Sequence, residues 1–383
     1  MLEIVAFLTL GLWLYLLAGR GGFWLARNRD DQPEPEAPAL WPKIVAVIPA
    51  RDEAASIGQT VQSLLGQDYL DLHAIVVDDG SQDGTAMVAS QAAAAAAASD
   101  RVTVLTGRPL PPGWTGKLWA VKQGAEAAAA FDPRYLLLTD ADIVYSAGAL
   151  RRLAARAEMQ QTVLTSVMVK LRCASLAERL FIPAFVFFFQ MLYPFAWVNR
   201  RARATAAAAG GCMLVRADAL AAAGGIEGVR NALIDDCALA KQMKAVGPIW
   251  LGLSEHITSI RAYDTFDPTR RMVTRSAYAQ LDYSPALLAA TTLAMAFTFL
   301  TGPLLAIFAA GLPAWLGAGT WGLMIVAYQP TLRFYRLSPL WALALPAIAL
   351  VYTVWTNESA LQYARGRGGQ WKGRAQAAAR GAR

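Results

Sequence analysis

Four aspartates, Asp79, Asp140, Asp142 and Asp236, stand where carboxylates could do chemistry. Thr139-Asp140-Ala141-Asp142 follows the apolar stretch Leu136, Leu137, Leu138. Two acids so close together at a strand end repel each other unless a cation or hydrogen-bond donors neutralise them. Oxygen ligands of this kind suit Mg2+ or Mn2+ bridging to substrate phosphates, which favours a metal over two solvated loop carboxylates. Val77-Asp78-Asp79-Gly80-Ser81, followed by Asp83-Gly84-Thr85, is a strand-end turn of short acidic and small residues. Asp and Gly are ordinary turn formers, and Ser81 or Asp83 could cap the next helix. A carboxylate there could also accept hydrogen bonds from a nucleotide base or ribose. Leu233-Ile234-Asp235-Asp236-Cys237 sets two carboxylates at the start of an apolar-periodic helix, where acids also complement the helix dipole. Gly113-Trp114-Thr115-Gly116-Lys117 looks like half a phosphate-binding loop, but Pro111 replaces its first Gly and Leu118 follows Lys117. A plain turn with a solvated Lys fits it, and so does a pyrophosphate contact at a helix start.

The elements that must hold these residues alternate. Strand-like runs at 44–49, 73–79, 102–105 and 135–142 are separated by helix-like segments at 54–66, 83–98 and 117–130. Nearly continuous apolar strands between helices predict an α/β fold with a mostly parallel sheet covered on both faces. In such sheets ligands sit beyond the carboxyl ends of the strands. The segment 49–53, with Pro49, Ala50, Arg51 and Glu53, falls there together with 78–85 and 140–142. Three polar clusters at three strand ends point to one crevice, which argues more strongly than any one of them.

Composition sets the surroundings. Of 383 residues, 56% are apolar and 16% charged, against roughly 25% charged in an average soluble domain. The apolar excess collects at 1–18, 180–198 and 285–356. Residues 4–18 read as an uncleaved anchor, since Arg20, Arg27 and Arg29 follow the run and no basic segment precedes it. A polar linker is expected over 26–42, a catalytic domain over 43–282, and a basic tail over 357–383. Candidate spans lie at 286–311, 313–330 and 339–356, near the roughly 20 residues a bilayer requires. Three crossings would put the basic tail outside, against the positive-inside tendency. Either the segment holding Pro346 does not fully span, or the tail is an exception. The run 180–198 would, as a crossing, separate Asp236 from Asp140. Pro183 and Pro194 are expected to break it into an interfacial or re-entrant piece. The net charge of +7 flanks apolar runs and shows no aromatic-interleaved basic motif, so nucleic acid is not an expected partner. Three cysteines and two histidines give no disulfide framework, zinc spacing or histidine-based catalysis, and His73 reads as structural.

Taken in order, VIPARDE (47–53), VVDDGSQDGT (76–85), LLTDAD (137–142) and IDDCALA (234–240) resemble family 2 glycosyltransferases of the GT-A fold, over roughly residues 43–280. The resemblance implies that Asp79 contacts the base of a nucleotide-diphosphate sugar, with residues 49–53 lining the same pocket; Asp78, Lys117 and Asp140 are expected on the donor side with them. It implies that Asp140 and Asp142 form the metal site for Mg2+ or Mn2+, and that Asp236 is the catalytic base, with neighbouring Asp235 the alternative. A carboxylate base suits an inverting single displacement, and a cation offsets charge on the departing diphosphate. Many processive or lipid-acting relatives carry a Q/RxxRW motif. The corresponding stretch here keeps Arg275 but lacks the Trp, leaving Arg270, Arg271 and Arg275 as diphosphate or acceptor contacts or as a positive juxtamembrane surface. The first apolar run, FIPAF…YPFAW, AAGGCMLVR (208–216) and QWKGR (370–374) look most similar to hopanoid-biosynthesis-associated glycosyltransferases of bacteria. Ceramide glucosyltransferases and carotenoid-pathway transferases are more distant. That likeness implies a multi-pass protein of the bacterial inner membrane, with its catalytic domain facing the cytosol and a lipid acceptor. The rivals are a polyprenyl-phosphate sugar synthase and a non-enzymatic membrane scaffold.

Overall fold

The structure is a computed structural model that describes residues 1–31, 35–372 and 374–377. Gln32, Pro33 and Glu34 of the expected linker, Gly373, and the tail residues Arg380 and Arg383 lie outside the described residues. The chain divides into two compact units. One comprises Asn28–Arg172 and Trp197–Ala262, and the other Met1–Arg27, Cys173–Ala196 and Tyr263–Arg383.

The first unit is built on an eight-stranded sheet. Its strands are β1 (Ile44–Ala50), β2 (Leu72–Asp78), β3 (Val102–Thr106), β4 (Tyr135–Thr139), β5 (Ile143–Tyr145), β6 (Leu164–Lys170), β7 (Cys212–Arg216) and β8 (Ile249–Ser259). The spatial order is β3-β2-β1-β4-β7-β6-β8-β5. The half β3-β2-β1-β4 is parallel throughout, as the apolar strand runs predict. β7 then runs antiparallel to both β4 and β6, and β5 antiparallel to β8, so the sheet is mixed. Every residue of β1 and β4 is buried, the signature of strands covered on both faces. The helix Gly116–Ala128 packs on β1 at Gly124, where a β-carbon would come within 2.4 Å of Val47 Cγ1. Only glycine permits that approach, and it fixes the distance of this helix from the sheet.

The segment 28–31 belongs to this unit rather than to a free linker. Asp30 N–H donates to the Leu253 carbonyl at 3.0 Å, and Leu253 N–H donates to the Asn28 carbonyl at 2.8 Å. Arg156 is buried, donates to the Asp30 carbonyl at 2.9 Å, and lies 4.6 Å over the Trp250 ring. Burial pushes the Asp30 carboxyl up from its ordinary value, although the Ser254 hydroxyl donates to it. His73 holds Thr103 at 2.8 Å and stacks on Phe131, which is the structural role expected for it.

The second unit is helical. Leu2–Gly19, Leu176–Val198, Pro285–Phe308 and Pro339–Ala364 are each long and apolar enough to cross a membrane. The 23-residue helix Leu312–Phe334, expected as a span over 313–330, is not among them, its apolar character diluted by small and polar residues such as Gly317, Gly319, Thr320 and Gln329. Pro183 does not break its segment. The helix Leu176–Leu192 runs continuously through it, opened by a capping box between Ser175 and Glu178. Pro removes one backbone donor, and the burial of Phe181, Ala184, Phe187 and Phe188 in the unit's core outweighs that loss. Arg20 then donates to the Met191 carbonyl at 2.7 Å, so the end of the first helix satisfies the end of this one. The turn Ala296–Leu300 is a π-helix, and Trp13 Nε1 donates to its Thr298 carbonyl at 2.7 Å. A π-turn frees a carbonyl from the helical ladder, and Trp13 supplies the replacement donor. Thr301–Phe308 and Leu312–Phe334 pack closely through glycine: a β-carbon at Gly317 would lie 2.6 Å from the Gly302 carbonyl. Small residues at a helix contact are the usual device of membrane bundles.

Candidate active site

The ends of β1 and β2 are tied together before any ligand is considered. Asp79 N–H donates to the Ala50 carbonyl, Asp52 N–H to Ser81 Oγ, Glu53 N–H to Thr85 Oγ1 and Ala54 N–H to Asp83 Oδ2, all at 2.8–2.9 Å. Gly80 and Gly84, at φ +70° and +87°, take the left-handed conformations that this tight loop requires. Asp78 spends its Oδ1 on the turn, accepting from the Ser81 N–H at 3.1 Å and from the Ser81 hydroxyl. Asp79 is buried, with Arg51 Nη1 3.7 Å from its carboxylate and donating to its carbonyl. Pro49 lines the crevice next to these loops.

Lys117 lines the crevice beside Asp140, Gly210 and Asp235. Thr115 caps its helix by accepting from the Leu118 N–H at 3.3 Å, which places Lys117 in the first turn. Its Nζ lies 2.9 Å from Asp140 Oδ1 and 3.3 Å from Asp235 Oδ2. Burial alone would depress this ammonium, but Asp140, Asp235 and Asp236 outweigh it and hold Lys117 charged. Asp140 is raised above the ordinary carboxylate value, first by desolvation and then by Asp142, with Lys117 opposing. Asp236 is pushed up to about 6, first by burial and next by the Asp235 carboxylate. Two backbone donors fix it: Gly210 N–H at 2.9 Å on Oδ2 and Cys237 N–H at 2.7 Å on Oδ1. A β-carbon at Gly210 would sit 3.3 Å from both Asp236 Oδ2 and Lys117 Nζ, so the glycine lets the two groups close around it.

Asp142 is served differently. Ser259 Oγ donates to its Oδ2 at 2.6 Å and Arg261 Nε at 3.2 Å, while Arg261 Nη2 reaches Glu53 Oε1 at 2.6 Å. The counter-charge that the paired acids need is therefore present within the chain, Lys117 on Asp140 and Arg261 on Asp142. These contacts use one oxygen of each carboxylate. Among the described residues no group of three or more His, Cys, Asp and Glu is placed to hold a metal. Two carboxylates fit a cation that completes its shell with water and substrate phosphate, the usual habit of Mg2+.

The three strand-end clusters and the Asp235–Asp236 pair thus meet in one unit. Arg261, the partner of Glu53, and Ser259 carry no sequence motif, whereas Gly210 lies in AAGGCMLVR, whose paired glycines are its one signal. Arg271 and Arg275 belong to the helical unit, where Arg271 pairs with Asp267.

A profile described as glycosyltransferase like family 2 matches residues 42–279. The chain belongs to this family. The glycosyltransferase has the GT-A fold. It is similar to a solved mannosyltransferase of Pyrobaculum calidifontis in complex with GDP-Man and Mn2+, at 16% identity and TM-score 0.57, covering 94% of this chain and 98% of that one. It is also similar to residues 1–349 of S. aureus TarS in complex with UDP-GlcNAc, at 15% identity, TM-score 0.41, and 87% and 95% coverage. Glucosyl-3-phosphoglycerate synthase of M. tuberculosis is similar at 18% identity and TM-score 0.40, over 63% of this chain and 80% of that one. At these identities the first likeness establishes the fold, and the other two are given as likenesses only. No curated protein matches the chain. Family membership makes the protein a nucleotide-sugar glycosyltransferase.

Proposed function

We propose that this glycosyltransferase works at a membrane, moving a sugar with inversion from a nucleotide-diphosphate donor to the hydroxyl of a lipid, a hopanoid or related polyisoprenoid. Asp79 and the 49–53 loop would receive the nucleoside, with Arg51 holding Asp79 in place. Lys117 at its helix start would meet the diphosphate. Asp140 and Asp142 would hold Mg2+ or Mn2+, which supplies positive charge to the leaving diphosphate. Asp236 is the base that takes the acceptor proton. The observation that carries this assignment is its two backbone donors, which aim a carboxylate raised to about 6, while Asp235 is paired with Lys117. A base whose value lies near the working pH is both ionised and able to accept a proton.

The lipid acceptor is supported by the helical unit. Phe7, Leu8, Leu293, Ile307, Phe308 and Val354 are exposed there, on helices long and apolar enough to cross a bilayer. Exposed apolar area on this scale suits lipid contact, and a lipid acceptor could then reach the enzyme without leaving the membrane. Arg20 and Arg27 after the first helix favour a cytosolic catalytic unit in the inner membrane of a bacterium. The phosphate-acceptor reading, a polyprenyl-phosphate sugar synthase, leaned on the arginines of 270–275. Arg270 is paired with Asp267 and Glu358, and Arg271 with Asp267, so two of those three charges are already answered. Lipid extracts of a deletion strain, set beside a strain carrying Asp236→Asn, test the proposal. Both should lack the same glycolipid; profiles identical to the parent strain would remove the lipid acceptor, and a product labile to mild acid would favour the phosphate acceptor.

A further inference from the structure

The metal carboxylates are each already paired with a side-chain cation, and the two cations differ in what holds them. Arg261 is fixed from both sides, between Asp142 and Glu53. Lys117 sits among acids only: Asp140 at 2.9 Å and Asp235 at 3.3 Å, with Asp236 close by across Gly210. A divalent cation bound to Asp140 would bring two positive charges into the immediate neighbourhood of that ammonium. At the few-ångström separations involved, like charges in a partly desolvated crevice disfavour each other strongly. Nothing in the geometry lets Asp140 serve both at once at no cost.

We infer that Lys117 is a resident counter-ion that makes metal and nucleotide binding interdependent. Without nucleotide, Lys117 occupies Asp140 and keeps a divalent cation out. When a nucleotide diphosphate enters, its negative charge takes over Lys117, and Asp140 is released to the metal. The inference rests on the donor and metal assignments proposed above and adds an order to them. It also gives a reason for a lysine at the first turn of this helix: from there the side chain reaches Asp140 and Asp235, and the helix N-terminus favours the incoming phosphates.

The test is Mn2+ binding to the full-length purified protein, read by the loss of the free-ion EPR signal, without nucleotide and with UDP or GDP. In the wild type, one of the two nucleotides should tighten Mn2+ binding by ~10-fold or more, and Mn2+ should tighten that nucleotide by the same factor, as linkage demands. Lys117→Met should bind Mn2+ alone ~10-fold more tightly than the wild type, and should lose most of the coupling. Lys117→Arg, which keeps the charge, should stay close to the wild type in nucleotide-free Mn2+ affinity. Equal Mn2+ affinity with and without both nucleotides in the wild type would overturn the inference, whether or not the Met variant folds. So would a folded Lys117→Met protein that binds Mn2+ alone no better than the wild type. Absence of Mn2+ binding in every form, with nucleotide still bound, would instead overturn the metal assignment and the inference with it.

Discussion

Replacing Gly124 by Ala tests whether the spacing of one helix sets the site. The added methyl would begin 2.4 Å from Val47 Cγ1 and 3.1 Å from Val77 Cγ2. Carbon atoms pack at about 3.5–4.0 Å, so the helix Gly116–Ala128 must retreat from β1 and β2 by about 1 Å. Overpacking of this kind costs ~1–3 kcal/mol. The better helix propensity of Ala returns up to ~1 kcal/mol. The net loss of ~0–3 kcal/mol should lower the melting temperature by at most ~12 °C for a unit of this size. Lys117 lies seven residues earlier, about two turns, and so on the same face of the helix as Gly124. It moves with the helix, and its contacts with Asp140 and Asp235 open together. A shift of about 1 Å in a positioned group can cost ~10²-fold in rate. Transfer assays beside thermal unfolding should therefore show activity falling far more than stability. A variant with wild-type transfer and wild-type melting would refute the reasoning from close packing to site geometry.

Four further outcomes follow from the contacts described above. Asp236 must be ionised to act as a base, so the transfer rate should fall as the pH drops below about 6. Its folded value lies above the ordinary 3.8, so its contribution to stability is full below that pH and lost as the pH rises through about 6; Asp236→Asn should accordingly melt higher than the wild type at pH 7.5. Arg261→Ala leaves the buried Asp142 and the largely buried Glu53 without their shared partner, which should cost ~1–3 kcal/mol by denaturant unfolding, along with most of the activity. Gly317→Ile drives the helices Thr301–Phe308 and Leu312–Phe334 apart, and detergent-solubilised protein should lose several degrees of melting temperature.

Much of the site was legible because its signals are local. Strand runs ending in Asp78, Asp79 and Asp140 mark their own carboxyl ends, and parallel pairing of β1 with β2 and β4 brings those ends together. What stayed hidden is long-range. Arg261 sits 119 positions from Asp142 in the chain, and nothing beside it in sequence announces the pairing. The paired acids argued for a cation, and the structure answers with Lys117 and Arg261, a solution that charge spacing alone does not distinguish from a metal. β7 enters the sheet antiparallel to β4 and β6, a direction that apolar runs do not encode. The composition of 28–31 is that of a linker, yet its backbone pairs with β8 and buries Asp30 beside Arg156, since backbone donors are available to any sequence. Pro183 read as a breaker by propensity, and tertiary packing of its aromatic neighbours overrode it.

The central claim is that Asp236 is the base of a sugar transfer whose donor is held elsewhere in the crevice. It is tested most directly by measuring donor binding and single-turnover transfer on the same preparation of Asp236→Asn. The account predicts donor affinity within a few-fold of the wild type and transfer reduced by ~10²–10⁴-fold. Transfer within tenfold of the wild type, or a loss fully explained by weaker donor binding, would contradict it.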